Sequence, residues 1–465
     1  MNMINVRRLV VMTFLGAGML SDISAQDFSL QADTLNEARL PAQWDLQFCI
    51  DYALEQNITI RKNRVTAEST QIDVKTAKAA LFPSLSFSTS QQVVNRPYQE
   101  TSSRVSGSEI ISSNSKTSYN GNYGLNASWT IYNGSKRLKT LKQERLNNQV
   151  AELDVATSEN TIKESIAQIY IQILYAAESV RVNENTLQVS IAQRDRGQEL
   201  LNAGSIAKSD FAQLEAQVST DRYQLVTAQA TLQDYKLQLK QLLELDGENE
   251  MNVYLPNLSD ENVLAPLPAK KDVYVSALAI RPEIEASKLN VEASELGIDI
   301  AKSSYFPTVS LSAGIGTNHT SGSDFTFGEQ VKNGWNNSIG LSVSVPIFNN
   351  RQTKSAVQKA RLQRETNMLS LLDEQKALYK TIESLWLDAN SAQQRYAAAN
   401  EKLRSTQISY DLISEQFNLG MKNTVELLTE KNNLLQAQQE QLQAKYMAIL
   451  NTQLLKFYQG DKLTL

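Results

Sequence analysis

Residues 79–88 read AALFPSLSFS and residues 303–312 read SSYFPTVSLS, 224 positions apart (303 − 79 = 224). Each stretch runs through Phe-Pro into strict alternation. Leu85 and Phe87 alternate with Ser84, Ser86 and Ser88, and Val309, Leu311, Ala313 and Ile315 alternate with Ser310, Ser312, Gly314 and Gly316. A period of two puts apolar residues on one face of a strand and small polar ones on the other. Ala53-Leu54 returns as Ala277-Leu278 at the same offset, whereas Gly124-Leu125 and Asn202-Ala203-Gly204 return as Gly340-Leu341 and Asn418-Leu419-Gly420 at an offset of 216 (340 − 124 = 216). A deletion of eight residues between the strand segments of the second copy reconciles the two (224 − 216 = 8). A solenoid unit has roughly 20–50 residues, so a repeat of half the chain is a duplicated half that builds one pseudo-symmetric object.

The chain divides accordingly into a first repeat over residues 26–247, a linker over 248–270 and a second repeat over 271–465. Each repeat orders helices, two strands and a helical hairpin, with strands at about 84–90 and 122–132, then 308–316 and 338–348, and tips near 204 and 420. In the later strands Tyr123, Leu125, Ala127, Trp129 and Ile131 alternate with Gly124, Asn126, Ser128 and Thr130, and Ile339, Leu341, Val343, Val345 and Ile347 with Gly340, Ser342 and Ser344. Segments of about 9–11 residues suit a tilted transmembrane strand, and apolar-out, polar-in alternation is the outer-membrane barrel pattern. The joins, Gln91 to Asn120 and Thr317 to Asn336, are polar and read as surface loops, with His319 exposed to solvent. Four strands cannot close, because such barrels need about eight, and lipid does not tolerate open sheet edges. Closure is therefore expected between chains, two giving eight strands or three giving twelve.

The helices carry a seven-residue beat. Leu378, Ile382, Leu385, Ala389, Ala392, Tyr396, Ala399, Leu403, Thr406, Tyr410, Ile413 and Phe417 step by four and three, the mark of a coiled-coil seam. Beyond Gly420 the beat is read through Val425, Leu428, Asn432, Leu435, Gln439, Leu442, Tyr446 and Ile449, and in the first copy through Ile162, Ile166, Ile169, Ile173, Ala176, Val180 and Leu187. Gly204 and Gly420 supply the left-handed residue that ends a helix. The rising helix from about Ser135 to Leu201 would extend on the order of 100 Å at 1.5 Å per residue.

Residues 1–25 carry Arg7 and Arg8, an apolar run from Leu9 to Leu20 and small residues to Ala25, which predicts an export signal cut before Gln26. The single cysteine, Cys49, lies in a helical apolar pattern and reads as a buried hydrophobe, so neither disulfide nor lipidation is expected. Lys+Arg 45 against Asp+Glu 50 makes a mildly acidic chain and gives nucleic acid nothing to bind. One histidine and one cysteine leave no cluster for a soft metal and no His-based catalytic apparatus, so neither metal, cofactor nor enzyme activity is expected. The chain also lacks a GxxxxGKS loop, so any energy for transport must come from a partner.

The doubled order, together with AALFPSLSFS and SSYFPTVSLS entering the first strands and WTIYNGSKR (129–137) and VPIFNNRQT (345–353) leaving the second, resembles the TolC-like outer-membrane efflux family. That resemblance covers nearly the whole mature chain. It implies a homotrimer of mainly α fold with transmembrane β, whose 12-stranded barrel, four strands per chain, continues into a long periplasmic coiled-coil tunnel. It further implies an exit duct in the outer membrane of a Gram-negative cell, serving a tripartite efflux or type I secretion system with a periplasmic adaptor and an RND-type or ABC-type inner-membrane transporter. By the same resemblance the adaptor docks on the hairpin tips, here Ala203, Gly204 and Ser205, and Leu419, Gly420 and Met421. The family's gate pattern falls on Phe417, Lys422 and Glu426, with Asp210 six residues after Gly204 as its acidic counterpart. Phe417 stands where Tyr is common and cannot donate a hydrogen bond. Thr429 stands where some members carry a further acid. A pore-less secreted coiled-coil scaffold would share the heptads and the export signal but leaves the four alternating segments unexplained.

Overall fold

The computed structural model describes residues 43–464 apart from 99–101, 107–108, 114–115, 247–250, 257–262, 322 and 324. The expected export signal, with its cut before Gln26, and parts of the expected linker lie outside these. Asp45–Leu465 is one compact unit and contains every helix and strand given below.

Asp45 accepts a hydrogen bond from Phe48 N–H (2.7 Å) and so starts α1, Leu46–Gln56. Asn57 caps α2, Ile58–Ala79, by accepting from Thr59 N–H at 2.9 Å. There follow β1 (Ser84–Asn95), β2 (Ser102–Ser106), β3 (Glu109–Ser113) and β4 (Thr117–Asn133), then the long helix α3 (Lys136–Asn202) and its return α4 (Lys208–Leu242). The second round is α5 (Lys270–Ile280), α6 (Pro282–Ser303), β5 (Thr308–Thr320), α7 (Phe327–Asn333), β6 (Asn336–Ser344), α8 (Gln352–Asn418) and α9 (Thr424–Gln459). Both helices of the α1–α2 pair recur as α5–α6 shifted by 224 (270 − 46 = 282 − 58 = 224), and the α3–α4 hairpin recurs as α8–α9 shifted by 216 (352 − 136 = 424 − 208 = 216). The repeat read from short motifs thus governs whole elements.

Packing follows the same offsets. Cys49, Ala53 and Ile60 are fully buried, and so are Val273, Ala277 and Ile284, each 224 positions later. In the second repeat these three join Leu378, Ile382 and Ala389 of α8 and Leu455 and Tyr458 of α9 in one core cluster. A fully buried Ile or Leu contributes about 1.5–3 kcal/mol over an exposed one, so these junctions hold the short helices to the long ones. Asn57 Nδ2 also donates to the carbonyl of Leu242 at 3.0 Å, which ties α2 to the end of α4.

The four long strands form one antiparallel sheet in the order β1-β4-β5-β6. Pairing Leu85 with Ala127, Ala127 with Ala313 and Ala313 with Ile339 puts apolar side chains in one row across all four strands. The adjacent row is Ser84, Ser128, Ser312 and Gly340. One face is therefore apolar and the other small and polar. On the apolar face of the single chain Leu85, Phe87, Ile339 and Leu341 are exposed, and among the described residues β1 and β6 have no partner on their outer edges. Among the described residues no helix is long and apolar enough to cross a membrane.

Five sequence expectations need correction. The region read as a loop between Gln91 and Asn120 continues the sheet to Asn95 and from Thr117, and it contains the small hairpin β2–β3. The loop expected from Thr317 to Asn336 begins as strand to Thr320 and holds α7, which a Thr326–Glu329 capping box starts. His319 is accordingly not a solvent-exposed loop residue: it lies in β5, half-buried, its ring 5.1 Å from those of Tyr119 and Phe327. The fourth strand stops at Ser344 rather than near 348, since Pro346 has no N–H to donate to a ladder. Finally, the first half of the seam on α9 is displaced by one residue, while Leu442 and Ile449 further along are buried as expected. Val425 and Asn432 are exposed, and the buried stripe runs through Thr424, Leu427, Lys431, Leu434 and Ala437.

Candidate functional site at the hairpin tips

Both hairpins turn by the same device. Gly204 (φ +72°) and Gly420 (φ +73°) are left-handed, and an added Cβ on either would meet nothing within 4 Å, so backbone conformation rather than space requires glycine. Ser205 N–H reaches the carbonyl of Leu200 at 2.8 Å and Gly204 N–H that of Leu201 at 3.0 Å. Met421 to Gln416 and Gly420 to Phe417 repeat the pattern, both at 2.9 Å. These paired bonds satisfy helix-end carbonyls without a partner chain. The turns themselves are bare: Ala203, Gly204, Ser205, Leu419, Gly420 and Met421 are all exposed, Leu419 at 71 % and Met421 at 68 %.

The charged residues beside the turns act locally in the single chain. Lys422 Nζ lies 2.6 Å from Glu426 Oε1, one helical turn along. Glu426 Oε2 accepts from Asn423 N–H (3.2 Å) while Asn423 Oδ1 accepts from Glu426 N–H (2.9 Å), a reciprocal cap that starts α9. Lys422, and after it the Asn423 N–H, hold the Glu426 carboxyl below the usual carboxylate range. Asp210 caps its own helix by accepting from Ala207 N–H at 3.3 Å. Phe417 is buried, and the exposed Thr429 donates its hydroxyl to the carbonyl of Val425 at 2.8 Å. Of the five gate residues expected from sequence, the single chain joins Lys422 to Glu426, while Asp210 in the other hairpin caps its own helix.

A second constellation was not foreseen. Lys431 of α9, Asp221 of α4 and Ser190 of α3 are each no more than 3 % exposed. The Lys431 ammonium donates to Asp221 Oδ2 and to Ser190 Oγ, and the Ser190 hydroxyl donates to the same carboxylate oxygen. Gln217 Nε2 satisfies the other oxygen, Oδ1, at 2.9 Å. Burial lowers the pKa of Lys431, and Asp221 works against that shift. The sequence signal was a lysine in register with Leu427 and Leu434, where a buried stripe calls for an apolar residue.

Among the described residues no group of three or more His, Cys, Asp or Glu could hold a metal. The model of a family described as outer membrane efflux protein matches this chain twice, over residues 49–244 and 273–460. The outer membrane efflux protein BepC of Brucella suis is 24% identical over 294 residues, which is 63% of this chain and 61% of that protein. Outer membrane protein TolC of Escherichia coli is 24% identical over 341 residues, 70% of this chain and 66% of TolC, so the chain spans just under two thirds of each of these relatives. The crystal structure of the outer membrane protein VceC of Vibrio cholerae superposes with a TM-score of 0.74 at 17% identity, covering 90% of this chain and 97% of that one, a likeness of fold. With its two copies matched in register with the structural repeat, the chain belongs to the outer membrane efflux protein family.

Proposed function

We propose that the chain is one third of a passive exit duct in the outer membrane, opened at its hairpin tips when a periplasmic adaptor and an inner-membrane transporter engage it. The observation that carries this reading is the four-stranded sheet, apolar on one continuous face and unpaired at both edges, set on helices of 67 residues. Lipid accepts such a face only in a closed barrel, and three chains supply twelve strands (3 × 4 = 12). A pore-less scaffold would give the exposed Leu85, Phe87, Ile339 and Leu341 no surroundings to suit them. The 67-residue helices, about 100 Å at 1.5 Å per residue, are long enough to carry the duct from the barrel far into the periplasm.

In this duct Leu419 and Met421, with Ala203 and Ser205, are the surface an adaptor meets, and Lys422, Glu426, Asp210, Phe417 and Thr429 set the tip aperture. Weak selectivity suits such a conduit, and the cargo is a small toxic molecule or an exported polypeptide handed on by the transporter. The test is reconstitution in planar bilayers. A detergent-requiring trimer with a small closed-state conductance is expected, and Lys422→Ala should raise that conductance and lengthen open times. A soluble elongated particle, or a closed state indifferent to Lys422→Ala, would count against the duct and the tip gate respectively.

A further inference from the structure

Within one chain, polar contacts between the two hairpins are few and placed at definite levels. Ser179 Oγ meets Gln439 Oε1 at 3.1 Å, Gln193 Nε2 donates to the Tyr410 hydroxyl at 2.8 Å, and Gln217 Nε2 lies 3.4 Å from Asn432 Oδ1. The buried Lys431–Asp221–Ser190 cluster lies at the same level as the last two. Lys431 is 11 residues beyond Gly420 (431 − 420 = 11), about 16 Å along a helix rising 1.5 Å per residue. Over residues 411–430, among the described residues, the hydrogen bonds and ion pairs stay within the second hairpin: Ser409 with Glu430 at 3.1 Å, Lys422 with Glu426, Thr429 with the carbonyl of Val425.

The two kinds of contact differ in what it costs to break them. Lys422–Glu426 is local to one helix turn and half in water, so within the chain it does not tie the second hairpin to the first. Pulling Lys431 from Asp221 strands two charges in a dry interface, which is far costlier than parting a pair in water. A movement that widens the tip follows the cheaper course. It swings residues 411–430 about the level of Lys431 and leaves the hairpins joined there.

We propose that Lys431, Asp221 and Ser190 form a fixed fulcrum that clamps the second hairpin to the first, so that opening is confined to the roughly 16 Å of hairpin between the cluster and Gly420. This rests on the tip-gate reading, names the positioning residues behind it, and gives the three side chains a role in setting aperture without touching cargo. Ser190 and Gln217 complete the carboxylate's partners, which holds Asp221 in the one orientation that meets the lysine.

The test uses the full-length trimer in planar bilayers. Lys431→Met leaves the Asp221 carboxylate buried without its cation and should raise open probability about tenfold or more. Asp221→Leu combined with Lys431→Met replaces the ion pair by an apolar contact and should bring open probability back toward wild type, a rescue that mere loss of a lysine would not show. In a Lys422→Ala background, Gln193→Cys with Tyr410→Cys joined by a short bis-maleimide links the hairpins at the cluster's level without touching the cluster. The fulcrum predicts that this link leaves the raised conductance unchanged within twofold. A link that restores the closed conductance, or a Lys431→Met channel as closed as wild type, would overturn the proposal. If Lys422→Ala alone fails to open the channel, the tip gate falls while the Lys431→Met comparison still decides the clamp. If Lys431→Met does not assemble, the linked channel decides it.

Discussion

Removing the Arg281 guanidinium should loosen the junction of α3, α6 and α9 by an amount that can be worked from its partners. Arg281 is 5 % exposed. Its Nη2 donates to Glu164 Oε1 at 2.8 Å, its Nε lies 3.9 Å from Glu283 Oε1, and the guanidinium carbon lies 3.6 Å from the ring centroid of Tyr458 and 5.1 Å from that of Phe457. Arg281→Met keeps much of the apolar stem and deletes the charge. It leaves two carboxylates facing each other with little water, and breaking such a buried pair costs about 3–5 kcal/mol. Glu164 and Glu283 keep 22 % and 23 % of their side-chain surface, which puts the effect at the lower end, about 3 kcal/mol or a hundredfold in an opening equilibrium. The measurement is hydrogen exchange on peptides spanning residues 160–168 and 452–459, corrected for intrinsic rate, where protection at pH 8 should fall about a hundredfold. Burial pushes the Glu164 carboxyl above the usual carboxylate range and Arg281 restrains it, so the variant's carboxyl should rise further. A carboxyl raised in the folded state favours folding below its unfolded pKa, and that advantage fades as pH climbs through the folded one. The deficit should therefore shrink at pH 5, and adding Glu164→Gln should remove both deficit and pH dependence. Protection unchanged at pH 8, or a deficit equal at pH 5 and pH 8, would refute the reasoning.

Leu341→Arg on the apolar face of β6 should cost about 2–4 kcal/mol of membrane-inserted stability at mid-depth and abolish heat-stable trimers, whereas Ser342→Arg one residue on, on the polar face, should assemble and change only conductance. Cys49 is fully buried and its thiol is pushed up to about 12 by burial first and Asp45 second. It should resist maleimide at pH 8 in the folded trimer and react on unfolding in guanidinium; labelling of native protein would show the α1 junction open.

The duplicated frame was legible because two independent periods agreed. Alternation at Leu85-Phe87 and Val309-Leu311 marked the strands, the four-three step from Leu378 to Phe417 marked α8, and the offsets of 224 and 216 tied them together. Strand ends were less legible because Asn95, Thr117 and Thr320 lie where apolar alternation has ceased while backbone pairing continues. Sequence records what a face buries; ladder bonds leave no such trace. The first half of the α9 seam was misplaced for a related reason. Val425, Leu428, Asn432 and Leu435 keep a heptad as well as Leu427, Lys431 and Leu434 do, and a lysine inside a stripe argues for the surface unless its counter-charge is known. That counter-charge, Asp221, stands 210 positions away (431 − 221 = 210) on the other hairpin.

The two repeats share a backbone design and diverge in charge where it bears on the tips. Subtracting 216 from Lys422 gives Ile206, and from Glu426 gives Asp210. The first tip therefore keeps the acid that caps a helix start and lacks the cation one turn earlier, so Asp210 accepts from the backbone of Ala207 while Glu426 also has a lysine. Helix starts favour anions, which stabilises both acids where they stand. Only the second tip neutralises its own. The same subtraction turns Lys431 into Glu215, so the buried cation also belongs to the second hairpin alone. A symmetric ancestor could supply strands and seams in duplicate. The proposed opening, one hairpin moving against another, requires hairpins that differ, and Lys422 and Lys431, against Ile206 and Glu215, are two places where they do.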